Sequence, residues 1–242
     1  VSVFRSQFGD AWELIVVDDG STDATTAVVR EFAADCPEAV LISHPENRGK
    51  GAAVRTGVLA SHGELVLFAD ADNATPFSEF IQLQTVACEG APIACGSRRC
   101  SGARDVRRTL PRRLMAAFFS LLVRLTVNPG VRDTQCGFKL FRRDAADWLF
   151  QQSREDGYLF DLEILGLASQ RELRVVEVPV MWREIPGTKV RVIRDSWRMF
   201  CGLFRIRRRL RLQRQRGAVE PSVTNQSRAG LRPVEYLNVS GE

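Results

Sequence analysis

The sequence predicts an α/β fold with a mostly parallel central sheet, helices on both faces and a C-terminal amphipathic helix. Three observations predict it. Short apolar, β-branched runs at residues 12–17, 40–43, 65–68 and 92–95 alternate with helical stretches, the pattern of repeated β-α units. The run WELIVV at 12–17 hardly alternates polar with apolar, as expected of a strand covered on both faces. Strand ends carry polar groups: Asp18 and Asp19, Asp70 and Asp72, and Arg98. Ligands of such sheets sit beyond the carboxyl ends of the strands, so these groups are predicted to share one rim.

Composition sets the bounds. The chain has 242 residues, 45% hydrophobic and 26% charged, which suits one α/β domain with a sizeable core. The net charge of +5 gathers near the C-terminus and so describes a local surface. Six cysteines without a CxxC pair, beside two histidines, argue against a zinc site and a disulfide framework. Reduced thiols in a cytosolic setting are the expectation. No signal-peptide pattern is read, and no apolar run reaches the ~18 residues needed to span a bilayer.

Taken in order, residues 1–8 read as the end of a helix. The strand at 12–17 runs into the polar turn Asp18-Asp19-Gly20-Ser21-Thr22-Asp23, and a helix follows over 24–34 with Asp23 or Thr22 as N-cap. After the strand at 40–43 comes Asn47-Arg48-Gly49-Lys50-Gly51 and a helix over 52–61. A glycine-rich turn with a lysine at a helix start suits phosphate, but the Walker spacing is absent, and a plain helix-start turn is the favoured reading. The strand at 65–68 ends in Asp70-Ala71-Asp72, and Pro76 and Ser78 start a helix to about residue 88. The strand at 92–95 ends in Gly96-Ser97-Arg98.

Alternate residues of an extended chain point the same way, so Asp70 and Asp72 can aim both carboxylates at one point. Hard cations such as Mg²⁺ or Mn²⁺ take ligands of this kind and share them with substrate phosphates. The competing reading is an Asp-rich loop capping the next helix.

Residues 99–113 are strongly basic and include Arg112 and Arg113. The apolar run LMAAFFSLLV at 114–123 lies in a helix to about residue 127, either a core helix or one lying in a membrane interface behind those arginines. The polar segment 133–141 feeds a short strand. Helices are read at 144–151 and 160–170, the second carrying Asp161 and Glu163, and a strand at 174–180. Residues 182–189 form a loop with Arg183 and Lys189. Residues 196–212 read as an amphipathic helix dense in arginine, a membrane-surface helix in preference to a nucleic-acid element. Three regions result: a domain over 1–195, the basic helix over 196–216 and a disordered tail over 217–242. His44 and His62 are read as structural or exposed.

Val16-Val17-Asp18-Asp19-Gly20-Ser21, Asn47-Arg48-Gly49-Lys50-Gly51, Asp70-Ala71-Asp72, Gly96-Ser97-Arg98 and the segment 133–141 occur in that order. Together they resemble family 2 inverting glycosyltransferases with the GT-A fold. DADNAT, DTQCGFKLF and VPVMWREIPGTK look most like the dolichyl-phosphate β-glucosyltransferase branch. The resemblance covers about residues 12–210. It implies a UDP-glucose donor, a dolichyl or polyprenyl phosphate acceptor, a divalent ion (Mg²⁺ or Mn²⁺) and association with the cytoplasmic face of a membrane. The neighbouring possibility is mannose transfer from GDP-mannose. Residue by residue, it implies that Val17, Asp19 and Lys50 bind the sugar nucleotide, and that Asp70 and Asp72 bind it with its metal. Arg183 and Lys189 would bind the diphosphate, and Arg98, Arg112 and Arg113 the acceptor phosphate. With Asp70 and Asp72, Arg98 is also expected in the catalytic set. The sequence departs from related mannose synthases at Ala74, where they carry Gln, which implies water or Thr75 as a replacement ligand. The family's first strand, which lies inside the sheet, has no counterpart before Val1. The expectation is an N-terminally incomplete copy whose neighbouring strands carry unpaired backbone groups.

Overall fold

A computed structural model of the chain describes residues 5–6, 8–9, 11–103, 122–124, 127, 130–183 and 192–217. The β-α pattern becomes β1 (Leu14–Asp18), α1 (Thr25–Ala34), β2 (Ala39–Ser43), α2 (Lys50–Ala60) and β3 (Leu65–Ala69). A 3₁₀ turn (Phe77–Glu79) leads into α3 (Phe80–Cys88), then β4 (Ile93–Ser97) and β5 (Phe138–Arg142). The described chain ends with α4 (Arg143–Gln152), α5 (Phe160–Gln170), β6 (Val175–Pro179) and α6 (Val192–Gly217).

The strands form two sheets among the described residues. β1 and β2 pair in parallel, and a second sheet has the order β3-β5-β4-β6. β4 and β6 are parallel, but β5 runs antiparallel to both neighbours, with Ala69 opposite Phe138 and Cys95 opposite Lys139. The central sheet is therefore mixed, where the sequence led us to expect a mostly parallel one. That expectation rested on crossover helices, which force successive strands parallel. β5 enters after the long excursion between Ser97 and Phe138 and is free of that constraint. The edge of β1 away from β2, and that of β3 away from β5, pair with no strand among the described residues. Both strands are mostly half-buried, whereas every residue of β4 is buried. Glu13 bridges them at one end: its Oε1 accepts the amides of His62 (2.5 Å) and Gly63 (3.1 Å).

Alternation along the strands divides the core between two faces. Val66, Ile93, Cys95 and Phe141 join α2, α4, α5 and α6 on one face. Ala94, Phe138, Leu140 and Val178 pack with Phe80, Leu83 and Ala87 of α3 on the other. Helices thus cover both faces, as the sequence predicts.

Helix α6 packs on the domain through part of its apolar face. Leu203, Ile206 and Leu210 are 1%, 0% and 5% exposed within the first of these cores. Burial of such side chains stabilises by about 1.5–3 kcal/mol each, so these three hold the helix to the domain. A period of 3.6 residues marks a buried face without saying what buries it. Phe204, Arg205, Arg208, Arg211 and Leu212 lie outward. No helix among the described residues is long and apolar enough to cross a membrane. The apolar helix expected over 114–127 lies almost entirely outside the described residues, as does the tail beyond 217.

Candidate active site

The rim begins where β1 ends. Asp18 accepts the Ser21 amide (3.1 Å) and the Thr26 hydroxyl (2.8 Å), and these bonds hold its pKa below the usual carboxylate value. Asp19 accepts Nδ1 of His44 at 2.7 Å and the amides of Arg48 (3.0 Å) and Gly49 (2.8 Å). Burial pushes its pKa up, but these donors outweigh burial and lower it. His44 is buried, with Nε2 at 3.0 Å from the Thr56 hydroxyl, so its structural reading holds. Asp19 therefore pins the 47–49 turn, and both its oxygens are engaged before any nucleotide arrives. Val17 differs from expectation too. Its Cγ2 lies 3.1 Å from where a Cβ would stand on Gly57, so the side chain packs on α2. It sits on the strand face that the helix covers.

The pinned turn delivers Lys50. Its Nζ lies 2.7 Å from Oδ1 of Asp70 and 5.6 Å from the centre of the Phe68 ring. Asp70 is held by its own amide, which donates to the Gly137 carbonyl at 2.8 Å. A Cβ on Gly137 would collide with the Asp70 carboxylate, so only glycine leaves that group its place. Asp70 Oδ1 is buried and, although Lys50 is near, no donor is aligned to it. Asp72 is exposed, and its Oδ1 accepts the Ala74 amide at 3.0 Å across Asn73, which takes a left-handed φ of 54°. An unsatisfied carboxylate oxygen on Asp70, with a second carboxylate two residues on, fits a hard divalent cation. No group of three or more His, Cys, Asp or Glu suited to a metal occurs among the described residues, so other ligands would have to come from the substrate or water.

Arg98 differs most from expectation. Its Nε and Nη2 donate to Asp133, both at 2.7 Å, and its amide adds a bond at 2.8 Å. Its guanidinium also lies 5.4 Å from the Trp182 ring centre. Burial works against both charges, but the pairing outweighs it, raising Arg98 and lowering Asp133. Glu177 completes the knot by accepting the Ser97 hydroxyl and the amides of Arg132 and Asp133, each at 2.9 Å. Arg98 is thus a tie between the end of β4 and the 131–137 loop. Nearby, the Arg183 amide donates to Ala74 at 2.9 Å, which sets Arg183 beside the Asp72 loop. Lys189, Arg112 and Arg113 lie outside the described residues.

The sequence reading passed over a buried ion pair. Lys139 of β5 is 1% exposed, with Nζ 2.6 Å from both Asp161 Oδ1 and the Cys136 carbonyl. Burial opposes its charge, yet Asp161 outweighs burial and lifts its pKa. The signal was a lysine inside FKLF and two carboxylates, Asp161 and Glu163, inside the otherwise apolar FDLEILGLA. Burial raises the thiols of Cys95 and Cys136 to about 12 and about 11, so both stay protonated and are poor metal ligands.

Contacts join the rim into one place. Asp19 binds Gly49, Lys50 meets Asp70, Asp70 abuts Gly137, and the same 131–137 loop binds Arg98 through Asp133. Comparison with known proteins bears on the fold and the family. Mannosyl-3-phosphoglycerate synthase from Rubrobacter xylanophilus superposes with a TM-score of 0.62 at 20% identity, over 96% of this chain and 72% of that one. Glucosyl-3-phosphoglycerate synthase from Mycobacterium tuberculosis, solved with Mn²⁺ and UDP-glucose, gives 0.57 at 20% identity, over 81% of this chain and 67% of that one. The fold is thus of the GT-A type. A dolichyl-phosphate beta-glucosyltransferase of Trichomonas vaginalis is 42% identical over 187 residues, 75% of this chain. The chain spans 56% of that relative's length. Residues 2–150 match the family description "Glycosyl transferase family 2". With the ordered motifs and the rim they build, that match makes this chain a member of glycosyl transferase family 2.

Proposed function

We propose that this chain is an inverting transferase that moves glucose from UDP-glucose to a dolichyl or other polyprenyl phosphate at the cytoplasmic face of a membrane. The observation that carries this reading is the Lys50–Asp70 pair, with the unsatisfied Asp70 Oδ1 two positions ahead of Asp72 in the chain. The relative named dolichyl-phosphate beta-glucosyltransferase supports the choice of sugar and acceptor.

The chemistry suits these groups. An oxygen of the acceptor phosphate attacks the anomeric carbon from the face opposite the nucleotide. The bond from that carbon to the diphosphate breaks, and its electron pair leaves with UDP. A phosphate is already an anion at neutral pH, so the step needs positioning and not a strong base. Lys50, with Arg183 and Lys189, would meet the charge that develops on the diphosphate. Asp70 and Asp72 would hold Mg²⁺ or Mn²⁺, which when bound supplies further stabilisation of that charge. Arg112 and Arg113 would meet the acceptor phosphate. The outward arginines of α6 would face lipid headgroups.

Radiolabelled UDP-glucose tests the reading. Label should enter an organic-soluble product only with polyprenyl phosphate and a divalent ion, and Asp72→Ala should remove it. Label arriving from GDP-mannose instead would replace the donor. No transfer from either sugar nucleotide, with vesicle binding intact, would leave a membrane-binding module.

A further inference from the structure

A series of contacts runs from the C-terminal helix to Lys50. Glu163 of α5 is 0% exposed. Its Oε2 accepts the Ser153 hydroxyl (3.1 Å) and the amides of Arg154 (2.7 Å) and Glu155 (2.6 Å). Arg209 of α6 approaches from the other side, with Nη1 3.4 Å from Glu163 Oε1 and 3.5 Å from Glu155 Oε2. These bonds fold residues 153–157 into a tight turn.

That turn lies across the start of α2. The Asp156 carbonyl accepts the amides of Gly51 (2.7 Å) and Ala52 (3.2 Å), and the Asp156 carboxylate pairs with Arg55. The fit is close enough that a Cβ on Gly49 would strike the Asp156 carbonyl, and one on Gly51 would strike that of Glu155. Gly49 also has a φ of 107°, which a side chain would strain. A helix start attracts anions through its free amides and dipole. Here a backbone carbonyl takes two of those amides, and Asp19 takes the amides of Arg48 and Gly49 just ahead. A diphosphate is thereby kept off the helix start and left to the Lys50 side chain. Lys50 sits between the two crowded glycines, so the turn also fixes where its ammonium can reach.

We propose that Arg209 and Glu163 are positioning residues for Lys50, setting its ammonium against Asp70 through the 153–157 turn. This rests on the reading that Lys50 and Asp70 meet the donor diphosphate. It couples the helix whose outward face carries the arginines to the site at the rim.

The test uses the full chain with Glu163→Gln and Arg209→Gln. Hydrogen exchange at Gly51 and Ala52 reads the turn directly, and calorimetric titration with UDP and Mn²⁺ reads the site. Both variants should speed exchange at Gly51 and Ala52 and weaken UDP–Mn²⁺ binding by about tenfold, the size of one lost charge-assisted hydrogen bond. In a Lys50→Met background neither variant should weaken binding further, because residues acting through one another are not additive. A lowered melting temperature with unchanged exchange and affinity overturns the proposal, and so do losses that simply add in the Lys50→Met background. Should Glu163→Gln fail to fold, Arg209→Gln decides, since that side chain is 34% exposed. If the unaltered chain does not bind UDP–Mn²⁺, the functional reading fails. Exchange at Gly51 and Ala52 then judges the coupling alone, supporting it if faster in the variants and refuting it if not.

Discussion

Arg98 and Asp133 meet at three points, two guanidinium bonds of 2.7 Å and one amide bond of 2.8 Å. This relationship predicts how stability depends on pH. Arg98 holds the Asp133 pKa down against burial. A carboxylate depressed in the folded state contributes fully above its unfolded value of roughly 3.9, and that contribution is lost as pH falls through the folded value. Urea unfolding followed from pH 7 to pH 3 should show stability dropping below about pH 4. Asp133→Asn should flatten that drop by one proton's worth and cost about 3–5 kcal/mol at neutral pH, because it leaves a buried guanidinium unpaired. An unaltered acid slope in the variant would mean that Asp133 does not carry the effect.

Gly137 supplies a second prediction. A methyl group there must displace the Asp70 carboxylate, while the backbone of β5 need not change. Gly137→Ala should therefore weaken UDP–Mn²⁺ binding at least about tenfold, equivalent to about 1.4 kcal/mol, with cooperative melting retained. Calorimetry and a thermal melt on the same sample separate the two effects. Affinity equal to that of the unaltered chain would remove Asp70 from the site.

What was legible in the sequence had local causes. Residues 160–170 read as a helix and form α5 from Phe160 to Gln170, and the apolar runs marked the strands to within a few residues. Asp70 was legible because a paired-carboxylate motif lies within three residues. The placement of β5 was not, since strand order is decided by tertiary pairing and not by the strand's own residues. Lys139 stands inside the apolar run FKLF, but its partner Asp161 lies 22 positions on, so the pairing was not legible locally. Arg98 was recognised as a strand-end cation, but its partner Asp133 lies 35 positions away, and that distance concealed its structural use.

The Lys139–Asp161 pair predicts an asymmetry between single and double substitutions. Lys139→Met leaves a buried carboxylate without its partner and should cost about 3–5 kcal/mol. Joining it with Asp161→Leu removes both charges and should recover much of that loss, because apolar replacement of a buried pair is often neutral. Urea unfolding of the single and double variants measures this directly. Equal destabilisation by each substitution, summing in the double variant, would show that the charges do not depend on one another.

The outward face of α6 gives the last prediction. Leu203, Ile206 and Leu210 are committed to the core, so attachment to a bilayer through the described outward face should be mainly electrostatic. Arg205, Arg208, Arg211 and Arg214 are exposed, with Phe204 and Leu212 among them at 51% and 45% exposure. Arginines near an anionic surface contribute about 1 kcal/mol each, and salt screens them over about 8 Å at physiological ionic strength. The chain should sediment with vesicles rich in phosphatidylserine, not with phosphatidylcholine alone, and molar salt should release it. Arg208→Glu with Arg211→Glu should abolish sedimentation while leaving UDP–Mn²⁺ affinity unchanged, because both residues are exposed and take no part in the site contacts described above. Binding that survives both salt and charge reversal would locate the attachment elsewhere in the chain. Salt-sensitive binding of single-stranded RNA in preference to vesicles would identify a nucleic-acid partner for this face.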